Sequence, residues 1–148
     1  MKKFFFSLDV VLNYKEQALE NVKAEHARIL GKVRECERQI EQLEQEHDDW
    51  VIEFEERKRQ GITISRIKAY EHSLEWIQQS IKEKYDALER LKVIEEAKRQ
   101  EVVEAKKETA SINMLKDKKR EEYNKQDSKE QELLIEEFVS NQRVAQHM

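Results

Sequence analysis

The residues with which this chain could do chemistry are few. His26 and His47 could ligate a metal, Cys36 could act as a nucleophile, and Trp50 and Trp76 could anchor a partner. A metal site needs further histidines or carboxylates converging in space, and no such spacing surrounds either histidine. Both fall where an apolar stripe would run along a helix, so they read as polar residues that set register. Cys36 lies on the same stripe with no base beside it, and is expected as a buried thiol. No Ser-His-Asp arrangement occurs, and two glycines without any proline leave no phosphate-cradling loop. A chain of this kind offers no water-excluding cleft, so it is expected to be non-enzymatic and to need no cofactor.

The elements that must position these residues follow from heptad phase. From Leu8 to Phe54 the core positions are Leu8, Leu12, Lys15, Leu19, Val22, His26, Ile29, Val33, Cys36, Ile40, Leu43, His47, Trp50 and Phe54. Eleven of these fourteen are apolar, and the residues between them are mostly charged. Alternating steps of three and four over seven heptads are what a coiled-coil helix requires; at about 1.5 Å per residue it would be roughly 75 Å long. The pattern breaks at Arg59-Gln60-Gly61-Ile62-Thr63-Ile64-Ser65. Gly61 can end a helix in a left-handed conformation, and Thr63 or Ser65 can cap the next. A second, weaker stripe then runs from Ile67 through Tyr70, Leu74, Ile77, Ile81, Lys84, Leu88, Leu91, Glu95, Lys98, Val102, Ala105 and Thr109 to Ile112.

A short turn between long helices makes them antiparallel neighbours. In a register centred on Ile62, Phe54 meets Tyr70, Cys36 meets Leu88, Val33 meets Leu91, His26 meets Lys98 and Leu12 meets Ile112. The phase of the stripes and the position of the turn agree on this register. The expected fold is therefore all-α: a long antiparallel two-helix coiled-coil hairpin forming a single unit over 1–148. Helix one is expected over about 7–58, the turn over 59–65 and helix two over 66–139. Beyond about Lys116 the second helix should outrun its partner. Its apolar residues Leu133, Leu134, Ile135, Phe138 and Val139 would form a helical overhang awaiting another surface, and 141–148 is expected to fray.

Charge restricts the partners. With 28 Lys and Arg against 32 Asp and Glu, the net charge of −4 disfavours nucleic acid. The stretch from Glu35 to Glu56 is strongly acidic, either a solvated face or a docking surface for a basic partner. Lys116, Lys118, Lys119, Arg120, Lys125 and Lys129 make the opposite end basic, and such polarity steers orientation. A single cysteine fits a reducing cytoplasm. Asp9 interrupts the apolar start, which argues against a secretory signal. No apolar run approaches the roughly 20 residues of a membrane span. Trp76 flanks the seam, where it either anchors a partner or folds over the groove edge.

With these elements in place, the chain resembles the flagellar export protein FliJ family. The resemblance rests on Phe4-x-Phe6-x-Leu8-x-x-Val11-Leu12, on Gly61-Ile62 followed by Tyr70 and Ile81, and on Lys119-Arg120-Glu121-Glu122-Tyr123 leading to Glu136-Glu137-Phe138. It implies a stalk-like component of the type III export apparatus, cytoplasmic and peripheral at the membrane's cytoplasmic face. Its implied partners are the export ATPase ring, the export-gate membrane protein and export chaperones, without membrane insertion. The residues expected at the ATPase are Lys116, Lys118, Lys119, Arg120, Tyr123, Leu133, Leu134, Phe138 and Val139. The family's gate-binding positions match Gln39, Leu43, Trp50 and Ile77, while Ser73 and Lys84 stand where that family has rings. The free chain is expected to be monomeric. A stalk of another rotary ATPase and a self-associating coiled-coil scaffold remain the alternatives.

Overall fold

The computed structural model describes residues 2–147. Among them are two helices, α1 (Asp9–Gln60) and α2 (Ile64–His147), and no strand. The protein is an all-α helical hairpin.

The turn is shorter than the sequence suggested because both flanking helices use their terminal residues fully. Gly61 takes φ 93°, the left-handed conformation that closes a helix without a Cβ penalty, and its amide donates to the Lys58 carbonyl at 3.3 Å. Arg57, Lys58 and Arg59 place positive charge in the last turn of α1, where the helix dipole favours it. Thr63 caps α2. Its hydroxyl accepts the Arg66 amide at 3.3 Å and its carbonyl accepts the Ile67 amide at 3.0 Å. At the far end, α2 continues to His147, beyond the 139 expected; the frayed segment expected there is helical as far as the described residues extend.

The chain divides into two compact units. One is Asn21–Val102 and contains the turn. Here α1 and α2 pack antiparallel along the two stripes, burying Ile29, Val33, Cys36, Ile40, Phe54, Ile77, Leu88 and Val102. Val33, Cys36, Ile40 and Leu88 form one cluster with Ala87 and Leu91 packed against it, as the register centred on Ile62 requires. Phe54 stacks on Tyr70 at 5.0 Å, and Trp50 meets the same ring edge-on at 5.8 Å. One expected layer differs. His26 does not face a bare Lys98: its Nε2 lies 3.0 Å from Glu95 Oε1, while Lys98 donates to Glu25 at 2.8 Å and to Glu101 at 3.0 Å. The long lysine and glutamate side chains reach past the nominal layer and sort the charges into opposite pairs.

The other unit comprises Met1–Glu20 and Val103–Met148. The start of α1 packs on α2 through Leu12 and Thr109, both buried. Thr109 is tolerated there because its hydroxyl donates to the Ala105 carbonyl at 2.8 Å and the Lys15 carbonyl at 3.4 Å. Ion pairs Lys15–Glu108 at 2.8 Å and Lys116–Asp9 at 2.9 Å flank the contact.

Candidate functional site

Two surfaces carry the residues singled out by the sequence, one in each unit. In the unit containing both chain ends, α2 does not become bare where α1 stops. The non-helical residues before Asp9 continue along it, which corrects the expectation that nothing partners the stretch after Lys116. Phe4 and Phe6 alternate in burial with Phe5. Phe6 is 4% exposed and Phe5 83%. The Phe4 ring lies edge-on to Tyr123 at 5.4 Å, with the Arg120 guanidinium 4.7 Å from its centroid. The Tyr123 hydroxyl donates to the Lys2 carbonyl at 2.7 Å. Arg120 and Tyr123 are therefore held by aromatic and cation–π contacts, and Lys116 is held by Asp9. Lys119 reaches Glu122 at 3.6 Å, and Lys118 is exposed.

Farther along α2, every residue from Gln131 to Gln146 is exposed. Leu133, Leu134, Ile135 and Phe138 are each more than half exposed, and Val139 a little less. The helix buries none of this apolar set. The structure thus brings Lys116, Arg120 and Tyr123 together around the N-terminal segment and leaves Leu133, Leu134, Phe138 and Val139 on an uncovered stretch. Phe4 and Phe6 are the residues that sequence reasoning missed as anchors. Their alternation about Phe5 was the available signal.

The second surface lies in the unit of the turn. Gln39 accepts from the Lys84 ammonium at 2.7 Å and donates to Glu35 at 3.3 Å, so it is fixed between the helices. Arg38 grips Glu35 through both of its carboxylate oxygens and holds that carboxyl below the usual range. Leu43 and Trp50 are half-buried, and Ile77 is only 2% exposed. Trp76 is 66% exposed. It stands with Trp50, Ile77, Glu46, His72 and Ser73 around a shallow recess of about 270 Å³. Ile77 therefore shapes the recess from below, and Trp50 and Trp76 supply the accessible apolar surface. On the opposite edge of the seam, Tyr85 donates to Glu44 at 2.5 Å, which raises the phenol's pKa.

Among the described residues no group of three or more His, Cys, Asp or Glu could hold a metal ion, and no helix is long and apolar enough to cross a membrane. Cys36 is buried, with its thiol directed at the Lys84 carbonyl at 3.5 Å. One unit thus carries anchored cations and aromatics, and the other a tryptophan-rimmed recess.

Residues 4–147 match the family model described as the flagellar FliJ protein. No curated protein and no solved structure matches the chain.

Proposed function

We propose, because the chain belongs to the flagellar FliJ family, that it serves as the stalk and adaptor of the export apparatus. Membership carries a flagellar export-related role, and the family is a non-catalytic component of that system. The finer reading is that the unit with both chain ends enters the ring of the export ATPase. The unit with the turn engages the cytoplasmic part of the export gate, and export chaperones dock on the same adaptor. The free chain acts as a monomer at the cytoplasmic face of the membrane.

The observation that carries this reading is the uncovered apolar stretch of α2 at Leu133, Leu134, Phe138 and Val139. It lies beyond a basic run of Lys116, Lys118, Lys119 and Arg120. Large exposed apolar side chains beyond a run of cations are what a helix entering a protein ring would present to it. A single asymmetric helix in such a ring makes the subunits' surroundings unequal and biases their catalytic states, which couples stalk to ATPase. Gln39, Leu43, Trp50 and Ile77 are assigned to the gate.

Pull-down and ATPase assays with the chain truncated at Lys116 test the first assignment. Loss of both binding and stimulation is expected. Undiminished binding and stimulation would reject the placement of these residues at the ring.

A further inference from the structure

Phe5, Val10 and Tyr14 are each at least 70% exposed, more than any apolar side chain from Leu133 to Val139. All three belong to the unit of Met1–Glu20 and Val103–Met148. Helical spacing puts Val10, Asn13, Tyr14 and Gln17 on the face of α1 opposite the buried Leu12. All four are exposed and none is charged, in a chain of which 41% of residues carry charge.

Phe5 is held outward by its neighbours. The Phe4 ring meets Tyr123, Phe6 is buried, and the Lys2 carbonyl accepts the Tyr123 hydroxyl. Pinning the residues on either side orders the segment beforehand, which lowers the entropy cost of a contact made through Phe5. Lys2 and Lys3 precede it, and among the described residues neither ammonium is held by a carboxylate. Both line an open recess of about 660 Å³ with Phe5 and Lys119. The one carboxylate there, Glu122, faces Lys119 at 3.6 Å.

Unpaired cations beside outward-standing aromatic and aliphatic side chains match an anionic lipid surface. Ammonium groups sit at the phosphates, while Phe, Val and the amphipathic Tyr enter the headgroup layer. The other exposed apolar stretch is unsuited by charge. Leu133, Leu134, Phe138 and Val139 are interleaved with Glu132, Glu136 and Glu137, which such a surface repels.

We infer that the N-terminal segment and the first turns of α1 dock the free chain on an anionic lipid surface through Lys2, Lys3, Phe5, Val10 and Tyr14. The contact is interfacial, since no described helix is long and apolar enough to cross a bilayer. It goes beyond the stalk reading, which assigns nothing to these five side chains, and concerns the chain before it enters a ring.

The test is co-flotation of the full-length chain with vesicles of phosphatidylcholine, alone or with phosphatidylglycerol added, at low and moderate salt. The chain is expected to float with the anionic vesicles only, and less at the higher salt. Lys2→Glu with Lys3→Glu should lower the partition coefficient at least about tenfold. Phe5→Ser with Val10→Ser should lower it roughly tenfold. Leu134→Ser with Phe138→Ser, on the acidic stretch, should leave it unchanged. All these side chains are exposed, so an unaltered melting temperature separates lost docking from misfolding. Failure of the wild type to float, equal flotation with neutral vesicles, or undiminished flotation of both N-terminal variants overturns the inference. So does a wild-type dimer in sedimentation that Phe5→Ser with Val10→Ser dissolves, which would give the face to a second copy. The ATPase pull-down with the chain truncated at Lys116 decides the stalk reading independently of these outcomes.

Discussion

The Tyr123 hydroxyl donates a 2.7 Å hydrogen bond to the backbone carbonyl of Lys2, two residues before the Phe4 ring that meets Tyr123 edge-on. The N-terminal segment is thus held on α2 by one polar and two aromatic contacts, with the Arg120 guanidinium over the Phe4 ring as the second of the aromatic pair. The edge-on ring pair contributes about 0.5–1.5 kcal/mol beyond burial, and the cation–π contact about 0.5–1 kcal/mol. Phe4→Leu keeps much of the apolar area and loses both. The segment should then open locally, with faster amide exchange at residues 2–8 and an unchanged melting temperature. Phe4→Tyr should restore the protection. Equal exchange in wild type and Phe4→Leu would mean that the ring contacts do not hold the segment.

Trp76 and Ile77 are adjacent in sequence and opposite in consequence. Ile77 is buried to 2% exposure in the core, and Trp76 is two-thirds exposed. Ile77→Ala should cost about 2–5 kcal/mol, as large-to-small core substitutions do. Trp76→Ala should stay within about 0.5 kcal/mol, as a surface change away from packing. Urea melts of the two variants measure this directly. A Trp76→Ala loss as large as that of Ile77→Ala would place the indole in the fold and remove it from the docking surface.

The hairpin was legible because core burial repeats with the heptad. The pairings Cys36 with Leu88 and Phe54 with Tyr70 follow from phase and turn position alone. Charged layers were less legible. Glu95 and Lys98 have side chains long enough to choose among several neighbours, so His26 meets Glu95 where backbone register pointed to Lys98. The N-terminal contact was missed for a different reason. Phe4 and Phe6 pack from a non-helical segment with a two-residue period, which helical periodicity does not capture.

Acid should loosen the Asn21–Val102 unit through identifiable pairs. The Lys98 ammonium holds the Glu25 carboxyl below its ordinary range, and Arg38 does the same to Glu35. A carboxyl whose pKa is lower in the folded state adds stability that is complete above its unfolded value and disappears as pH falls through the folded one. Lys98, held above its ordinary range chiefly by Glu25, adds stability that persists at neutral pH and is lost only in strong alkali. Glu25, Glu35 and Arg38 are exposed and Lys98 is partly so, and each contribution is small. Glu25→Gln should therefore lower the melting temperature slightly at neutral pH and not at all near about pH 2, below the carboxylate range. A variant whose deficit is the same at both pH values would show that the Glu25–Lys98 pair is not the titrating contact.

His26 and Glu95 face each other at 3.0 Å within the seam, each with about a fifth of its side chain exposed. Arg99 lies 3.9 Å from the same carboxylate. Replacing His26 by Leu leaves Glu95 half-buried with only that distant partner, which should cost about 1–3 kcal/mol. Replacing both by Leu removes the polar layer. Stability should then return to wild type or exceed it, because apolar seam residues pack without a desolvation penalty. What the pair supplies instead is register, as polar core positions do in coiled coils. Spin labels at Arg34 and Arg90, exposed residues that face each other in the register centred on Ile62, should give one narrow distance distribution in wild type and a broader one in the double variant. Thermal melts of both singles and the double complete a double-mutant cycle. A coupling near zero, with unchanged label distances, would show that this layer neither stabilises nor aligns the two helices.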